Sequence, residues 1–102
     1  MKNSLINSAN FRTSYEKFYK EMRNYLWDVA TLELLADIEV ATYQSFIDLQ
    51  DLDNKLRRLY QMIRPIAEDD EFLQEAYDNF YDLVQDNKKS NMYCSLYRVE
   101  EV

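Results

Sequence analysis

The chain contains no glycine among its 102 residues. Average usage of ~7% would supply about seven in a chain of this length. Glycine gives positive φ in tight turns, hairpins and helix C-caps without steric cost. A chain without it is poorly equipped for a hairpin-rich sheet and lacks the means to line a phosphate loop. Long helices need no such residue, and the sequence is read as all-α. Plentiful Asn, Lys, Tyr, Ile and Phe beside scarce Gly, Pro, His and Cys is also the usage that a low-GC genome favours, so part of the deficit has a compositional origin.

The length suits one domain over residues 1–102, with residues 1–10 as an N-terminal arm and 90–102 as a C-terminal tail. Such a chain buries roughly two-thirds of its unfolded surface and can build a core without disulfides or metal. The single cysteine, Cys94, excludes an intramolecular disulfide and favours a reducing compartment. The first residues lack the apolar stretch of a signal peptide, and no run approaches the ~18 apolar residues of a membrane span. A cytoplasmic location is therefore expected.

The net charge of −7 argues against direct nucleic-acid binding and against anionic membranes, because both require a basic footprint. The charges are segregated. Residues 31–54 carry six acidic and no basic side chains, and residues 65–87 carry eight acidic and none basic. Between them lie Lys55, Arg57, Arg58 and Arg64. Such blocks form solvated faces and complementary neighbours within one chain, and they also steer partners of opposite sign.

Apolar residues recur at Phe11, Tyr15, Phe18, Met22, Tyr25 and Val29, one stripe of a helix predicted over 11–29 after an N-cap at Ser8 or Asn10. Leu26 and Trp27 are expected to widen its buried face. A second, longer stripe follows. Leu35, Thr42, Leu49, Leu56 and Ile63 fall seven apart, as do Ile38, Ser45, Leu52, Leu59 and Ile66. This is an a/d heptad across 35–66 with one polar layer at Thr42 and Ser45, flanked by Ala41 and Phe46. A slip of phase between the stripes places a connection near Ala30–Thr31, with Thr31 as N-cap. Pro65 is expected to end the second helix at or near Arg64.

Continuous phase favours one helix over 32–64, in a three-helix antiparallel bundle. A kink near 42–48, with Asp48, Asp51 or Asp53 capping a new helix, gives four helices instead. A single helix of that length is roughly 50 Å long at 1.5 Å per residue, nearly twice as long as either neighbour. Its stripe would stay partly open, and a second copy of the chain would close it. A third helix is predicted over 70–87. Asp69 or Asp70 caps it, Leu73, Ala76, Phe80 and Leu83 form its stripe, and Asn87-Lys88-Lys89 stop it. The segment after residue 90 is read as an extended tail.

The absent residue types bound the chemistry. Without histidine there is no imidazole base and no Ser-His-Asp or Cys-His pair. One cysteine cannot form a cysteine-rich zinc site, and a chain without glycine has no Walker loop or dinucleotide fingerprint. Glu68, Asp69, Asp70 and Glu71 are clustered carboxylates, but capping and solubility explain them and no cation-loop spacing is present. No catalytic residue, cofactor or metal is expected. Nine tyrosines exceed what the stripes need, and tyrosine is enriched at protein interfaces.

The sequence therefore points to a small acidic protein-interaction module. Self-association as a homodimer is expected through Leu35, Ile38, Leu49, Leu52, Leu56, Leu59 and Ile63. Tyr19, Tyr60, Tyr81, Arg57, Arg58, Asp69, Asp70 and Glu71 are candidates for contact with a protein partner. The alternative is an acidic inhibitor of phage or mobile-element type, a nucleic-acid mimic or an immunity-type protein, that binds a basic partner.

Overall fold

A computed structural model describes the backbone of residues 8–101 and the side chains of residues 9–89. It contains four α-helices: α1 Ser8–Met22, α2 Val29–Thr42, α3 Leu49–Ala67 and α4 Glu71–Glu101. No strand occurs among the described residues. Most of the predicted N-terminal arm lies outside them.

The fold class is as read from the sequence, and the four-helix alternative replaces the single helix over 32–64. Two local interactions break that stretch. Thr42 is buried at the end of α2 and turns its hydroxyl back to the Ile38 carbonyl at 2.7 Å. Asp48 then caps α3, its side chain accepting from the Asp51 amide at 3.1 Å. Between them the chain reverses without any residue at positive φ. Ser45 and Phe46 are exposed in this connection, and Ile47, not Phe46, is buried over the core.

The first connection also differs from expectation. α1 ends at Met22, seven residues early, and α2 begins at Val29 behind an Asp28 cap. The predicted cap, Thr31, is instead the donor: its amide gives a hydrogen bond to Asp28 Oδ1 at 3.0 Å. Hydrogen bonding from Thr31, side chain first and then backbone, holds the Asp28 carboxyl below its usual value. Trp27 closes the turn by donating its indole N–H to the Met22 carbonyl at 2.8 Å, and Tyr25 donates its hydroxyl to Asp70.

Two expected helix ends are passed over. Pro65 lies inside α3, which continues to Ala67. In the last turn a proline forfeits one backbone hydrogen bond, and burial of Ala67 with partial burial of Ile66 holds the turn in place. Asp70 caps α4 as expected, accepting from the amides of Phe72 and Leu73. α4 does not stop at Asn87–Lys89. Asn87 stays helical and donates to the Leu83 carbonyl at 2.8 Å, and neither glycine nor proline follows. The predicted extended tail is helical backbone to Glu101, and the side chain of Cys94 lies outside the described residues.

Each helix runs antiparallel to the next. Tyr15 pairs with Glu39 across α1 and α2, Thr31 with Met62 across α2 and α3, and Tyr60 with Gln74 across α3 and α4. α1 returns to α4, with Tyr15 and Phe18 edge-on to Phe80 and Tyr77. The principal contacts therefore form a ring, with α2 and α4 on one diagonal. This is an up-down-up-down bundle. Its interior is filled by Phe11, Phe18, Met22, Ile38, Leu52, Leu56, Leu59, Ile63, Leu73, Phe80 and Val84, all essentially inaccessible.

Candidate protein-binding face

The seven residues expected to drive self-association lie inside this core. Leu35 and Ile38 on α2 and Leu49, Leu52, Leu56, Leu59 and Ile63 on α3 are all buried within one chain. Because the chain reverses at 43–48, the two halves of the heptad stripe face each other and the other helices. The stripe is the seam of the bundle and offers no open surface to a second copy.

The tyrosines divide between core and surface. Tyr60 donates to Gln74 Oε1 at 2.8 Å and packs 4.8 Å from Tyr77. Tyr81 stacks on Tyr77 at 5.8 Å, and the Arg57 guanidinium lies 5.7 Å from its ring centroid. Tyr19 is partly exposed, stacked on Tyr15 with Arg23 over its ring. Tyr15 and Tyr43 donate to Glu39 and Glu16, so three tyrosine–carboxylate clips, counting Tyr25–Asp70 between the first and third connections, join neighbouring parts of the bundle. Burial first and the neighbouring Glu39 second raise the Tyr15 hydroxyl far above its ordinary value. Burial does the same to Tyr77, whose hydroxyl donates to the Leu56 carbonyl at 2.8 Å.

The remaining candidates divide between structure and solvent. Arg57 is paired with Asp53 at 2.9 Å, while Arg58 is exposed. Asp70 is a cap and accepts from Tyr25, and these hydrogen bonds, Tyr25 foremost, lower its pKa. Asp69 and Glu71 are exposed. Along α4, Glu71, Glu75, Asp78, Asp82 and Asp86 follow helical spacing on the solvent side. No group of three or more potential metal ligands occurs among the described residues.

Among the described residues Asp53 is the one acidic side chain in the core, 1% exposed. It receives Arg57 Nε on one oxygen and Lys88 Nζ on the other, at 2.9 and 2.6 Å. Burial alone would raise its pKa, but the hydrogen bonds from Lys88 and Arg57 outweigh burial and hold it below the usual carboxylate range. The Gln85 amide favours the ionised form too, although its buried Nε2 lacks a partner of regular hydrogen-bond geometry. The Asp53 cluster joins the first turns of α3 to α4 and leaves no oxygen open to solvent chemistry.

A different surface stands out. α2 is apolar on two sides. One side supplies Leu34, Leu35 and Ile38 to the core, while the other exposes Val29 (68%), Leu32 (47%), Ala36 and Val40 (59%). Steps of three, four and four residues align these on one stripe. By helical angle Glu33 and Asp37 flank the stripe on one side and Glu39 on the other, and α2 carries no other charge. The stripe is about 17 Å long at 1.5 Å per residue.

The turns at the two ends of α2 extend this surface. Leu26, expected to be buried, is 99% exposed, and Phe46 is 79% exposed. Leu26, Trp27 and Leu32 border a hollow of about 270 Å³ whose other walls are Tyr19, Met22, Arg23, Tyr25 and Leu35. At the far end Val40, Phe46, Asp37, Asp48 and Asp51 border one of about 540 Å³, together with Lys55, which is paired with Asp51. Sequence reasoning missed these residues because Val29 reads as the last position of the first stripe and Leu26 as part of its buried face. The available signal was α2 itself, a helix apolar on two opposite sides with acidic residues only between them. Among the described residues, no helix is long and apolar enough to cross a membrane.

Comparison with protein-family models, curated proteins and solved structures gives no match, so the residues above carry the functional reading alone.

Proposed function

We propose that this chain is a non-catalytic protein-interaction module that binds a protein partner through the outer face of α2. One observation carries the reading: Val29, Leu32, Ala36 and Val40 form a solvent-facing apolar stripe on a helix whose opposite side already completes the core. Scattered exposed apolar residues are ordinary, whereas a contiguous polar-rimmed patch marks an interaction site. The absence of histidine and the single cysteine support a role without catalysis.

Homodimerisation through this face is disfavoured by its charge. A two-fold interface sets a patch against itself, and each copy would bring Glu33, Asp37 and Glu39 to the contact. The nucleic-acid-mimic form of the inhibitor reading needs a continuous negative face. Its first acidic block is split, with Glu33, Asp37 and Glu39 on α2 and Asp48, Asp51 and Asp53 at the start of α3, where Lys55, Arg57 and Lys88 neutralise Asp51 and Asp53 before the second block on α4 is reached. The immunity-type form, an acidic protein that engages a basic one, remains compatible with the α2 face.

A photoreactive side chain at Leu32 tests the reading in the cells that produce the protein. An adduct with a second polypeptide is expected from Leu32 and not from the same group at Asp82 on α4. Adducts from Asp82 alone would transfer the interface to the acidic side of α4 and defeat the proposal.

A further inference from the structure

We infer that the α2 face receives a basic amphipathic helix, with an apolar stripe flanked on both sides by Lys or Arg. The inference rests on the interaction reading above and names the chemistry of the partner. Three observations define it. The stripe Val29–Leu32–Ala36–Val40 has the i, i+3, i+7, i+11 spacing of one helical face and a length of about 17 Å, which suits a second helix laid alongside. Carboxylates line both edges, Glu33 and Asp37 on one and Glu39 on the other, and no cation interrupts them on α2. Exposed Leu26 and Phe46 stand in the turns at the two ends, each beside a shallow hollow; Arg23 lies in the first, and Lys55, already paired with Asp51, in the second.

The electrostatic asymmetry selects among occupants. An anionic lipid surface and an acidic peptide meet like charge, as does a second copy of the same face. A neutral apolar segment satisfies the stripe but brings no cation to Glu33, Asp37 and Glu39 as they are partly desolvated, and Glu39 has only the Tyr15 hydroxyl as a neutral partner. A helix with cations on either side of its apolar residues answers both requirements, which is the helix-in-groove mode with charge at its rim.

The test uses the full chain, labelled with ¹⁵N, and three synthetic 18-residue peptides. The first is a Leu/Lys sequence with helical amphipathic spacing, the second has Glu in place of Lys, and the third scrambles the Leu/Lys order at the same composition. The first peptide is expected to bind, with shifts centred on residues 26–46. Leu32→Ser with Val40→Ser, which preserves charge, should weaken it at least tenfold. Glu33→Gln with Asp37→Asn should weaken it severalfold and reduce the loss of affinity caused by raising salt. Phe72→Ser, an exposed apolar site on α4, should leave it unchanged, and circular dichroism verifies that each variant is folded.

Equal binding of the scrambled peptide, equal or better binding of the Glu peptide, or shifts centred on Glu71–Asp86 would each overturn the inference. So would a dimer of the free chain that Leu32→Ser dissociates, because the occupant would then be a second copy. Crosslinking at Leu32 without binding of the cationic peptide defeats the basic helix and leaves the α2 face standing. Loss of the Leu32 adduct defeats the face itself.

Discussion

Asp53 shows how one side chain fixes the pairing of two helices. A carboxylate taken out of water is costly unless it is paired and hydrogen-bonded, and here each oxygen meets a cation. Asp53→Asn keeps the shape and removes the charge. It should lower stability at neutral pH by about 1.5–3 kcal/mol, the range for hydrogen bonds to charged groups, read from urea unfolding. The folded-state pKa of Asp53 is depressed, so the sign follows by linkage. Its contribution is fully present above the unfolded value near ~3.9 and is lost as pH falls through the lower folded value. The difference between wild type and Asp53→Asn should therefore narrow under acid and persist from pH 5 to 8. A pH-independent difference would mean that shape, not charge, matters at this position. The pairing was not legible in the sequence: Asp53 reads as a cap or a solvated charge, and Lys88 as a helix stop. Their meeting depends on α4 folding back along α3, which local periodicity does not encode.

At the scale of the element, α2 and α3 illustrate what a heptad does and does not convey. The period identifies the buried face correctly at Leu35, Ile38, Leu49, Leu52, Leu56, Leu59 and Ile63. It is silent on whether the chain reverses, because two helices that each present a stripe to one core can share a phase by coincidence of loop length. The decisive marks were polar: Thr42 bonded back to its own helix and Asp48 placed to cap the next. Asp48→Ala should cost about 0.5–2 kcal/mol, the usual loss of an N-cap, measured by chemical denaturation. A cost near zero would show that Ile47 and the core hold the reversal without the cap. The stop expected at Asn87 failed for a related reason. Asn tolerates the left-handed region but does not require it, and a bonded helix with no breaker ahead simply continues.

For the whole molecule, burial of the heptad seam changes what a charged substitution should do. Leu52 is fully enclosed. An open dimer stripe would let Leu52→Glu yield a folded monomer, whereas a seam residue should abolish folding. An unpaired buried charge costs at least ~4 kcal/mol, a large part of the 5–15 kcal/mol typical of a domain. Loss of the helical circular-dichroism signal and of cooperative melting is expected. A folded, cooperative Leu52→Glu protein would contradict the enclosed seam. By contrast, Leu32→Ser on the outer face of α2 should alter stability by no more than about 0.5 kcal/mol. The ring order of the helices bears on folding kinetics as well. Contacts between successive helices join neighbouring parts of the chain, whereas α1 meets α4 across its full span, as Tyr15 does Phe80. Closing that last side requires the largest loop-entropy loss, which places it late on the folding route. Phe18→Leu, at the α1–α4 contact, should then accelerate unfolding severalfold and leave the refolding limb of the chevron nearly unmoved. A slowed refolding limb would instead put the meeting of the chain's two ends at the start of folding.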